Sequence, residues 1–179
     1  MLAALLLPRL LDKHPDRPVM IGGTALLVAS LLSLSLLSLF YDTQWLPLLA
    51  GWLIIGIGYS VVLTPSGRLL KRSAHAEDRP AVYAAQFALS HACWLVTYPL
   101  AGWLLTVAGP STTFAVLALL AGAGLVSGVA LWPQESSGAM QHSHDDLPRD
   151  HPHVQDGRTH SHPIVIDDYH QHWPRMRET

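Results

Sequence analysis

Residues 81–107 run for 27 positions without an aspartate, glutamate, lysine or arginine. A helix needs ~20 apolar residues to cross the hydrocarbon core of a bilayer, and lipid offers no partner to an unpaired backbone group. The stretch therefore predicts a membrane-spanning helix. Residues 19–40, 46–63 and 112–132 share its character and are also free of charged side chains. The expected fold is all-α: a polytopic membrane protein with four transmembrane helices over residues 1–132, followed by a tail at 133–179.

Prolines and charges mark the joints. Pro15 and Pro18 interrupt the polar run before residue 19, and Pro65 and Gly67 are expected to end the second span. Residues 41–45 and 108–111 read as short turns, with Tyr41 and Trp45 suited to the headgroup zone. The segments at 9–17 and 68–79 carry three and four cations, whereas 41–45 and 108–111 carry none. Loops rich in lysine and arginine stay in the cytoplasm. The first pair is therefore expected there, and an even number of crossings brings the C-terminus back to that side. The partner this predicts is the lipid bilayer of an inner (plasma) membrane, not nucleic acid.

Small and polar residues inside the spans have two readings. Ser30, Ser33, Ser35 and Ser38 can bond to carbonyls of their own helix and then carry no message. Gly51, Gly56 and Gly58, and the Gly124/Gly128 spacing, suit close helix packing. Pro99 is expected to kink the third span. On that span Gln86, Ser90, Cys93 and Thr97 share one stripe, and His91 and Tyr98 another. Both stripes could simply face other helices. Polar or ionisable groups at membrane depth are costly and mark pathways, so His91, Gln86 and Tyr98 are the candidate substrate and proton route. Histidine changes protonation nearest neutral pH, which makes His91 the natural proton carrier. No catalytic residues are expected: the chain has no HExxH, no GxSxG and no phosphate-binding loop. The lone cysteine, Cys93, excludes an internal disulfide.

The loop before the first span, with Asp12, Lys13 and Arg17, resembles the Gly-x-x-x-Asp-Arg-x-x-Arg-Arg motif of the major facilitator superfamily. Pro8 stands where the glycine would be, and Asp16 where an arginine would be. The resemblance implies that residues 1–132 are helices nine to twelve of a twelve-helix secondary transporter, with residues 1–7 closing helix eight. It implies a C-terminal part of a cation or drug exporter whose substrate cavity needs a missing N-terminal half. Alternatives are a small four-helix membrane protein that pairs with a second copy and buffers metal, or an inactive truncated product.

The tail holds eight of the eleven histidines, placed as His-x-His at 142/144, 151/153, 160/162 and 170/172. Residues two apart in an extended chain face the same way, so each pair offers two imidazoles to one ion. Imidazole suits nickel, cobalt and zinc, and the interleaved aspartates add oxygen donors. His142, His144, His151, His153, His160, His162, His170 and His172 are thus the candidate metal ligands, with no cofactor required. Divalent transition metals as cargo are implied by this histidine-rich tail, which resembles those of bacterial metal-efflux members of the superfamily. A plain solvated tail or a pH-responsive one would use the same residues. Its prolines and polar side chains predict disorder without metal. The more apolar segment with Ile164, Val165, Ile166, Tyr169 and Trp173 could dock on the cytoplasmic face.

Overall fold

The computed structural model describes residues 14–41, 45–132, 139–143, 159–163, 165–167 and 170. Three long apolar helices dominate it: α1 (Asp16–Phe40), α2 (Trp45–Arg72) and α3 (Arg79–Leu131). All three are long and apolar enough to cross a membrane, and most of their surface lies open on the outside of the molecule. In water such exposure of leucine, valine and tryptophan would drive aggregation; against lipid tails it carries no penalty.

Two boundaries differ from the sequence expectation. Helix α2 does not stop at Pro65 but continues through it to Arg72. The proline removes one amide donor, to the Val61 carbonyl, while the helix continues on both sides of it. Arg68, Lys71 and Arg72 consequently sit on a helical turn, not on a free loop.

The expected third and fourth spans form one 53-residue element, α3, so three helices are seen where four were expected. Its one non-helical residue is Gly109, at φ 77° and ψ 176°. Pro110 drives the residue before it out of the helical region, and only glycine enters the positive-φ extended region at little cost. Pro99, by contrast, lies inside the helix without a non-helical residue beside it.

Hydrogen bonds locate both ends of α3. Near its start, Arg79 Nε donates to the Lys71 carbonyl (3.2 Å) and Tyr83 Oη to the Gly67 carbonyl (2.9 Å). At its finish, Arg17 at the start of α1 donates to the carbonyls of Trp132 (2.9 Å) and Val129 (3.1 Å). Just past the break, Ser111 meets Ser35 near the far end of α1, each hydroxyl donating to the other's carbonyl at 2.8 and 2.9 Å. Both ends of α3 therefore lie at the end of the bundle where α1 begins, and Gly109 lies towards the opposite end.

Helix α1 is the centre of the bundle, with α2 on one side and the second arm of α3 on the other. Gly23 and Gly58 permit the α1–α2 approach: a Cβ on Gly23 would stand 2.8 Å from Val61 Cγ1, and one on Gly58 would stand 3.0 Å from the Gly23 carbonyl oxygen. Gly51 lies directly under Leu34. Gly56, Gly124 and Gly128 have no such neighbour among the described residues, so the Gly124/Gly128 spacing is not a packing face there. Ser33 bonds to its own helix as expected, at Ala29 (2.8 Å). Ser30 and Ser35 instead reach across, to the Gly51 and Ser111 carbonyls, and tie helices together.

The tail is not uniformly irregular. Strands β1 (Ala139–Ser143) and β2 (Thr159–Pro163) pair antiparallel, with His142 opposite His160 and Met140 opposite His162. Period-two His-x-His sequence fits a strand at these ten residues. The all-α expectation holds for the membrane-spanning part, where every described element is a helix.

Candidate functional site

Two places gather polar chemistry. The first is on the first arm of α3. His91 lies between Phe87 and Trp94, with ring centroids 3.8 and 4.7 Å away, and Trp94 stacks on Tyr98 at 6.1 Å. Spacings of three and four residues put these rings on one face of the helix. His91 Nδ1 donates to the Phe87 carbonyl at 2.8 Å, since a carbonyl can only accept. In the neutral ring this leaves Nε2 as an acceptor. An open groove of about 580 Å³ is lined by His91, Ala92, Trp94, Leu95, Tyr98 and Pro99, almost wholly apolar apart from His91 and Tyr98. The structure thus brings His91 and Tyr98 into one groove. Gln86 is half-buried and does not line it. Ser90 and Thr97, on the neighbouring stripe, bond to Phe87 and Cys93 carbonyls of their own helix.

The second is the end of the bundle where α1 begins. Asp16 is 1% exposed and accepts hydrogen bonds from Arg68 through both Nε (3.0 Å) and Nη2, and from Arg72 Nη1 (3.3 Å). Arginine's fork and the desolvated setting make this a strong, directional contact. Nε and Nη2 of Arg72 are buried without a hydrogen-bond partner among the described residues. Asp16, which breaks the motif resemblance, is the acid that organises this end. A clue was present in the sequence: an acid in a helix's first turn, facing a segment with four cations. Arg17 caps the last turn of α3, where its positive charge meets the negative end of the helix dipole. Asp12 and Lys13 lie outside the described residues.

The tail docks at this same end. The Ile166 amide donates to the Arg72 carbonyl at 2.9 Å, and the Ile166 side chain is buried. His170 closes a turn: its amide and its Nδ1 both donate to Asp167 Oδ1, at 2.8 and 2.9 Å. The expectation that this apolar segment docks on the helices therefore holds for Ile166. His142, His160 and His162 are placed by their backbone in β1 and β2, while His144, His151, His153 and His172 lie outside the described residues. Among the side chains that are described, no three metal-ligating groups converge.

Comparison with known proteins agrees with this architecture. Neither the curated proteins nor the solved structures contain a match to the chain. The family model of the Major Facilitator Superfamily matches residues 1–159 of the 179. With that match over most of its length, and with helices built to span a bilayer, this multi-pass membrane chain belongs to the Major Facilitator Superfamily, whose members are transporters.

Proposed function

We propose that the chain supplies the last four crossings of a secondary exporter, with His91 and Tyr98 on the substrate and proton route and Gln86 beside it. The observation that carries this reading is the groove at His91. An ionisable side chain among aromatic rings, on an arm that would lie at membrane depth, is costly against lipid and inexpensive against a polar cavity. Transporters of this architecture work between two repeats, so the groove is read as one wall of a cavity completed by an N-terminal half.

The reversal at Gly109 supports four crossings: 53 helical residues extend to ~80 Å, well over twice a hydrocarbon core of ~30 Å. Arg17, Arg68, Arg72 and Arg79 all lie at one end of the bundle, which supports a cytoplasmic assignment for that end, in an inner membrane. Ile166 docks there too, so the tail would stand at the cytoplasmic mouth. Its His-x-His pairs make divalent transition metals, nickel and cobalt first, the preferred cargo over drugs.

Everted membrane vesicles test this, made from cells expressing the gene with any in-frame upstream sequence retained. Under an imposed proton gradient they should take up nickel or cobalt faster than vesicles without the chain, and His91→Gln should abolish the difference. Uptake identical in all three would refute the reading.

A further inference from the structure

We propose that the face of the β1–β2 ribbon on which the register places positions 140, 142, 160 and 162, a methionine and three histidines, is one shared binding site for a divalent first-row metal ion. The proposal rests on the reading of the tail as a metal collector, and changes how that collector is built. From sequence, each His-x-His pair is a separate two-imidazole ligand. The register of the ribbon makes a different unit. His142 is the direct partner of His160, and Met140 is the direct partner of His162.

Directly opposite positions in an antiparallel pair have Cβ atoms ~4.5–5.5 Å apart, and positions two apart along a strand fall on the same face about 6.6 Å apart. Residues 140, 142, 160 and 162 therefore occupy one face, and residues 141, 159, 161 and 163 the other. By residue type, the first face holds three histidines and one methionine, and the second holds no metal-binding type. A one-residue slip would scatter this set, so the register selects it.

Three imidazoles and a soft thioether favour copper, nickel, cobalt or zinc over magnesium or calcium, which seek oxygen. Contribution from both strands has a thermodynamic consequence. Binding closes the 15 residues between the strands and stabilises the paired ribbon, so affinity and pairing rise together. Strand β2 ends three residues before Ile166, so the filled site would be tethered close to the bundle end that holds Arg72.

The test uses the full chain in detergent, titrated with nickel chloride by calorimetry at neutral pH. A shared site predicts that His142→Ala and His160→Ala each remove the same tightest event, weakening it at least about tenfold, and that the double variant is no worse than either single one. His151→Ala with His153→Ala should leave that event unchanged. If His142→Ala and His160→Ala instead remove different events whose losses add, the shared site is overturned while a metal-collecting tail survives. Absence of any heat would overturn both.

A second readout does not touch the proposed ligands. Nitroxide labels on Gln141→Cys and Ser161→Cys, in a Cys93→Ser chain, should broaden each other's spectra on adding nickel-free zinc chloride. Spectra free of mutual broadening, both with and without zinc, would overturn the ribbon.

Discussion

The carbonyl of Arg72 accepts a hydrogen bond from the amide of Ile166, 94 positions further along the chain, at 2.9 Å. One orphan carbonyl at the end of α2 is thereby satisfied by the tail, and the isoleucine side chain is buried in the same step. Replacing Ile166 by aspartate should release the segment. Burying an isoleucine contributes about 2 kcal/mol, so hydrogen exchange at this amide should accelerate roughly thirtyfold while the helices keep their protection. Unchanged exchange would show that the contact contributes nothing.

Asp16 and its arginines predict a larger effect. Asp16→Ala removes the carboxylate that Arg68 and Arg72 share, and two donors of Arg72 are already buried without partners among the described residues. Breaking a buried pair costs about 3–5 kcal/mol; the low end applies here because the Arg68 side chain is 36% exposed. Thermal unfolding in detergent should show this loss. Arg17→Ala, which removes hydrogen bonds to two carbonyls only, should cost about 1–2 kcal/mol.

Neighbouring glycines on α1 give a sharp contrast. A Cβ on Gly22 meets nothing within 4 Å, whereas one on Gly23 meets Val61 at 2.8 Å and the Gly58 carbonyl oxygen at 3.0 Å. Gly22→Ala should be neutral or stabilising by up to about 1 kcal/mol through helix propensity. Gly23→Ala should be destabilising by about 1–3 kcal/mol, since α1 and α2 must part to admit the methyl group. Equal melting temperatures for the two would contradict the packing described.

Gly109 tests the reversal. Its φ of 77° with an extended ψ is a region essentially reserved for glycine, so Gly109→Ala should cost about 1–3 kcal/mol although no atom stands in the way of the new methyl. If alanine is tolerated without loss, the reversal does not sit at this residue.

The spans were legible because their signal is collective: twenty apolar residues in a row survive any local uncertainty. Single-residue effects were not. Pro65 looked like a terminus, yet in lipid the backbone on either side has no partner outside the helix, so the 28-residue helix continues through it. The turn at 108–111 shrank to Gly109, because one positive φ before a proline suffices to reverse a chain. Ser30 and Ser35 looked inert because a hydroxyl's choice between its own helix and a neighbour depends on which helices touch, and sequence does not display that. Asp16 was passed over because it broke a motif. His91 with Tyr98 was readable from helical spacing, which also set Gln86 on the neighbouring stripe, away from the groove they line.

Asp16 and Arg17 are consecutive, and between them they grip both neighbours of α1: one holds the end of α2, the other the end of α3. A single peptide unit thus acts as the knot where three rods are lashed. Pivoting α1 at this point would drag two others along, so the bundle swings there as one piece, and the Ser35–Ser111 clasp carries the same motion to the Gly109 end.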